Sequence, residues 1–133
     1  MLLQTNPEML YLALTAGLTA ILWIPYIVDR IAEHGLWPAL RNPIPDEPPK
    51  AAWAHRLMCA HRNAIENLAV FATLVCVLSI VGAGTETTAV AAMIFFYMRL
   101  AHVVIYTLGI PLLRTLVFFT GFLCQVVILL SLF

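Results

Sequence analysis

Residues 9–28 read MLYLALTAGLTAILWIPYIV, twenty residues without one charged side chain. Wound as an α-helix at about 1.5 Å per residue, such a run covers roughly 30 Å, the thickness of a bilayer's hydrocarbon core. LAVFATLVCVLSIV closes a second apolar stretch, a third runs through residues 87–108, and TLVFFTGFLCQVVILLSLF ends the chain. Lipid offers backbone groups no hydrogen-bond partner, so runs of this length resolve into helices that satisfy themselves internally. The composition agrees: 62% of residues are hydrophobic and 11% charged, against roughly 45–50% and about 25% in soluble domains. The expectation is an all-α integral membrane protein: one domain over residues 1–133, a four-transmembrane-helix bundle with helices at about 8–34, 51–81, 87–108 and 112–133.

Between the spans the sequence changes character. Pro25 is expected to kink the first helix, because proline removes a backbone donor and its ring crowds the preceding turn. The connection DRIAEHGLWPALRNPIPDEPPK holds five of the eight prolines, so much of it should be non-helical. Asp46 with Pro48 and Pro49 fits the start of the second helix, where proline is tolerated. GAGTET forms the second turn and GIPLLR the third; no internal repeat is visible. Four spans put both termini on one side. Arg30, Arg41, Lys50, Arg56 and Arg62 lie in or near the first loop and Arg114 borders the third, which by the positive-inside rule places those loops in the cytoplasm. Compact loops favour a bacterial inner membrane. The start, MLLQTNPEM, lacks the basic region of a signal peptide. A net charge of zero gives no reason to expect a nucleic-acid partner. The three cysteines show no CxxC or other metal-binding spacing, so no metal site is expected; Cys76 and Cys124 read as packing residues of the membrane core.

The polar residues inside the spans carry the functional signal. His55, Arg56, Cys59, Arg62, Asn63 and Glu66 recur at threes and fours, the spacing of one helical face. Arg99, His102 and Tyr106 do the same in the third helix, and Arg114 opens the fourth. A charge at mid-bilayer costs about 2.5–3.5 kcal/mol on insertion scales, so such residues turn toward a bundle interior or a wet cavity. Arg62 and Glu66 could form a plain i,i+4 ion pair. Against that, Arg62, Arg99 and Arg114 outnumber Glu66, the one acid expected deep in these helices, and a cationic excess suits an anionic ligand. His102 reads equally well as a core histidine bonded to a neighbouring helix. His61 and His55 read as surface-facing, and Arg30 and Arg41 as interfacial anchors.

AHRNAIEN (60–67) resembles the second-helix motif of the MAPEG family, the membrane-associated proteins of eicosanoid and glutathione metabolism. RLAHVVIY (99–106) resembles that family's third-helix segment, and the order of spans, the long first loop and Arg114 also match. The resemblance implies a homotrimer of four-helix subunits with glutathione as cosubstrate, bound between subunits near the cytoplasmic side. It further implies contact with membrane lipid and a small lipophilic substrate. Position by position, it implies that Asn63 and Glu66 hold the tripeptide, Glu66 through its amino group. Arg62 would support that network, and His61 would lie near the ligand. Arg99, His102 and Tyr106 would line the site, Arg30 would supply a first-helix contact, and Arg114 would stabilise the glutathione thiolate. Glutathione transfer to lipophilic electrophiles, or hydroperoxide reduction, is the activity that follows.

Two positions depart from the pattern. Cys59 stands where well-characterised relatives carry a glutathione-binding arginine, and it keeps open a non-catalytic member that binds lipid or a partner. Phe118 stands where prostaglandin E synthases carry a tyrosine, which argues against that chemistry. The match is closer to bacterial members, whose proline-rich loop precedes a motif like WAHRLMCAHRN. A four-span multidrug exporter is the rival from another class, but such exporters depend on a first-span glutamate and residues 9–28 contain none.

Overall fold

A computed structural model describes residues 6–42 and 47–133. Six helices follow in order: α1 (Pro7–Ile21), α2 (Trp23–His34), α3 (Leu36–Leu40), α4 (Ala52–Val81), α5 (Glu86–Leu108) and α6 (Pro111–Leu130). Helices α1 and α2 form one bent rod, so four stretches are long and apolar enough to cross a membrane: Pro7–His34, Ala52–Val81, Glu86–Leu108 and Pro111–Leu130. The chain is an all-helical, multi-pass membrane bundle. The bend falls at Leu22 rather than at Pro25 itself. Proline has no N–H for the carbonyl four residues back, at Ile21, and its ring presses on that carbonyl. The rod therefore yields one turn before the proline, where the Leu22 N–H bonds Thr19 O at 3.4 Å.

The helix ends follow from local sequence. Asn6 caps α1 by accepting from the Met9 N–H at 3.1 Å, with Pro7 in the first turn. Thr85 and Thr88 form a reciprocal capping box on α5, which satisfies amide groups that helix starts otherwise leave open. Gly82 and Gly109 end α4 and α5 in the left-handed conformation, at φ +67° and +81°, which glycine adopts without steric cost. The first loop is more ordered than its prolines suggest, since LWPAL winds into α3 with Pro38 in its first turn. Pro43, Pro45 and Asp46 lie outside the described residues. Ala51 provides the extended cap position of α4, with no side-chain bond.

Packing concentrates at the end of the bundle near Glu8. Phe71, Val75 and Leu78 of α4 meet Ala92 and Phe95 of α5 and Ile128 of α6. The Phe71 and Phe95 rings stack at 4.0 Å between centroids. Small residues at Ala54, Ala60, Ala64, Ala91, Ala92 and Gly121 are buried, and they let backbones approach where van der Waals contact rather than water exclusion drives association. Hydroxyls in the spans close back on their own helices: Thr15, Thr19, Thr73, Thr107 and Thr120 each donate to the carbonyl four residues earlier. Such bonds spare lipid an unsatisfied donor. Ile80, Leu116, Phe119 and Phe122 point outward, as residues facing acyl chains do. Cys124 is buried as expected, but Cys76 is exposed on the subunit surface. Its neighbours Val77 and Ile80 are exposed too, and a small polarizable thiol is at home on such an apolar surface as well as in the core.

Candidate functional site

The polar residues of α4 do not all meet the same neighbour. Over thirty residues the helix meets different neighbours, and the HRNAIEN segment divides among them. His61 turns toward the first rod, where its Nδ1 lies 2.8 Å from the Tyr26 hydroxyl. Asn63 turns toward α5, where its Oδ1 accepts from Arg99 Nη1 at 3.2 Å. Arg62 and Glu66 are exposed on the subunit surface. They make no ion pair; the ion pairs among the described residues are Arg30–Glu47 at 3.7 Å and Glu33–His34 at 3.5 Å. His55 is exposed. Arg56 serves the structure: its Nε donates to Thr107 O at 2.8 Å, closing the carbonyl end of α5 with a cation where the helix dipole favours one.

Arg99 is the largest fully buried side chain, 2% exposed. Its guanidinium lies between two rings, 5.5 Å from the Phe95 centroid and 5.4 Å from that of Phe118. Cation–π contacts of this kind strengthen when water is excluded. Among the described residues, Arg99 Nε and Nη2 have no hydrogen-bond partner, and no carboxylate pairs with this guanidinium. His102, one turn on, is also buried. Its ring meets Tyr106 edge-on at 5.5 Å and Phe118 at 6.2 Å. Tyr106 in turn carries Arg114 over its face, at 4.4 Å.

Asn63, Arg99, Phe118, His102, Tyr106 and Arg114 thus form one continuous chain of contacts along the seam of α4, α5 and α6. Beside it, Asn67 Nδ2 donates to Asn63 O at 2.9 Å, and Gln125 Nε2 donates to Asn67 O at 3.2 Å. This chain joins two guanidinium groups, an imidazole, a phenol and amides, and none of its members is an acid. An arrangement of that kind can hold an anion and stabilise negative charge on a polarizable atom.

Of the residues expected at the site, Asn63, Arg99, His102, Tyr106 and Arg114 therefore come together. His61 lies away from them, against Tyr26. Arg30 faces the first loop, in a cleft of about 220 Å³ with His34, Arg41 and Glu47. Arg62 and Glu66 stand apart on the outer surface of the subunit. Sequence reasoning missed Gly121 and Glu8. Gly121 packs against Arg99, and a Cβ there would stand 2.9 Å from Arg99 Nη2; nothing in the one-dimensional pattern distinguishes it from other glycines in a span. Glu8 is 5% exposed and accepts from Thr88 Oγ1 at 2.5 Å, so Glu66 is not the acid most deeply set in this bundle. The run Asn-Pro-Glu marks a helix start but not the contact with α5.

No curated protein and no solved structure shows a significant match to the chain. The model of one family matches from residue 9 to residue 133. Taken with the four membrane-crossing helices, that match over nearly the whole length shows that the chain belongs to the MAPEG family.

Proposed function

We propose that this protein is a membrane-bound, glutathione-dependent enzyme that transfers the tripeptide to lipophilic electrophiles or uses it to reduce lipid hydroperoxides. The observation that carries the reading is the seam itself: Arg99 and Arg114 joined through Phe118, His102 and Tyr106, with no carboxylate among the described residues to neutralise them. Members of the family use glutathione, whose two carboxylates and ionisable thiol suit such a cationic strip. A free thiol titrates near 8.5, so at neutral pH little of it is the nucleophilic thiolate. A guanidinium in a poorly solvated site favours the anion, and lowering the thiol pKa by one corresponds to about 1.4 kcal/mol. Arg114 is the candidate for this role. It opens α6 and rests on an aromatic face, which leaves its N–H groups free to meet a sulfur. Electrophiles soluble in the acyl chains reach such a site sideways, between helices.

The subunit surface supports a site shared between copies of the chain. Arg62 and Glu66 are oriented outward, so a ligand that touches them and also the seam lies at a boundary between subunits; a homotrimer is the assembly that fits. The basic loops would face the cytoplasm, in a bacterial inner membrane. Phe118 uses its ring to cover Arg99 and has no hydroxyl to offer, which favours conjugation or reduction over prostaglandin isomerisation. The reading is tested by turnover of 1-chloro-2,4-dinitrobenzene and of cumene hydroperoxide with glutathione, in wild type and Arg114→Ala. Loss of one group that stabilises developing charge typically lowers kcat by about 10²–10³. Unchanged kcat in the variant would remove Arg114 from the chemistry.

A further inference from the structure

We propose that Arg99 is a positioning residue rather than a ligand contact: seated by the missing side chain of Gly121, it turns the Asn63 amide so that its N–H groups face the ligand. The inference rests on the glutathione reading and specifies what that site recognises at Asn63.

Three observations carry it. Arg99 is almost fully buried, and its guanidinium lies between the rings of Phe95 and Phe118, away from the subunit surface. Its one hydrogen bond among the described residues runs from Nη1 to Asn63 Oδ1, at 3.2 Å. Guanidinium groups only donate, so the amide oxygen must be the atom facing Arg99. The Asn63 Nδ2, on the other branch of the planar group, is left pointing away. It makes no hydrogen bond within the subunit among the described residues, yet it is not sealed from solvent. The Asn63 backbone is fixed separately, through the Asn67 amide at 2.9 Å. Asn63 therefore turns its two donors outward and its oxygen toward Arg99, and the group these donors take is a carboxylate or peptide carbonyl of the ligand.

Gly121 makes this possible. A Cβ at that position would lie 2.9 Å from Arg99 Nη2, 3.4 Å from Nε and 3.5 Å from Cζ. The guanidinium would have to move to make room for it. Its bond to Asn63 is already at the long end of the range for an N–H donor, so a displacement of a few tenths of an ångström releases the amide to rotate.

The experiment pairs glutathione calorimetry with thermal unfolding of the ligand-free protein for wild type, Gly121→Ala, Asn63→Asp and Asn63→Leu. Aspartate keeps an oxygen toward Arg99 but replaces the two donors by a second acceptor. The expected result for Asn63→Asp is an unfolding temperature at or above wild type, with glutathione affinity lowered roughly tenfold or more, the equivalent of one good hydrogen bond. Gly121→Ala should weaken binding severalfold while the protein stays folded. An Asn63→Asp variant that binds like wild type overturns the inference and leaves the glutathione reading standing. So does one that unfolds as early as Asn63→Leu, since the oxygen then does not face the cation. Absence of binding in wild type overturns both.

Discussion

Gly109 gives the most direct measure of how the third connection is held. Its φ of +81° ends α5 in the left-handed region, where a side chain costs roughly 1–2 kcal/mol. The same residue lies under Arg56: a Cβ would meet Nε at 3.2 Å, Cζ at 3.3 Å and Cδ at 3.4 Å. Arg56 donates to Thr107 O at 2.8 Å, and a hydrogen bond from a charged donor contributes about 1.5–3 kcal/mol. Gly109→Ala should therefore destabilise by about 2.5–5 kcal/mol, from backbone strain and from the displaced guanidinium together. Gly82 is the internal control. It ends α4 at φ +67° with nothing within 4 Å of an added Cβ, so Gly82→Ala carries the backbone cost alone, about 1–2 kcal/mol. Unfolding by SDS titration from mild detergent compares the two, and a cycle with Arg56→Ala isolates the contact. In the Arg56→Ala background the cost of Gly109→Ala should fall to that of Gly82→Ala. Equal costs for the two glycines in the native background would show that Arg56 does not hold this corner.

Two further predictions concern the opposite end of the bundle. Glu8→Ala leaves Thr88 without its acceptor on α1 and should destabilise by about 1–3 kcal/mol, read as an earlier thermal transition; Glu8→Gln, which keeps an oxygen, should recover most of it. Thr85→Ala removes half of the capping box on α5 and should cost about 0.5–2 kcal/mol in the same assay, with glutathione affinity unchanged because the cap lies at the far end of the helix from Tyr106.

Much of the fold was legible because the bilayer imposes a simple rule on length and polarity. Each of the four spans lies within a few residues of where the apolar runs put it, and Pro25 does bend the first rod, though one turn early at Leu22. The first loop was harder: its prolines suggested irregular chain, but Pro38 falls in a first turn, where it does not oppose a helix, and α3 forms. The site was half legible. Arg99, His102 and Tyr106 follow one another along α5 at the spacing the sequence shows, and Arg114 joins them from α6 through Tyr106. The three- and four-residue spacing on α4 did not say which neighbour each residue meets. A helix in a bundle of four touches partners on several sides, so Arg56 goes to a helix end, His61 to Tyr26, Asn63 to Arg99, and Arg62 and Glu66 outward. Gly121 and Glu8 act through Arg99 and Thr88, residues on another helix and distant in sequence, and no local pattern encodes such pairs.

The most direct test of the proposed glutathione site is calorimetric titration of glutathione into the detergent-purified protein, with Glu66→Ala beside it. Saturable binding in wild type that is lost in the variant is the expected result, since Glu66 faces out of the subunit and would meet the ligand's ammonium at a boundary between copies. No heat of binding at millimolar glutathione would contradict the reading and point to a lipid or another partner in the same seam.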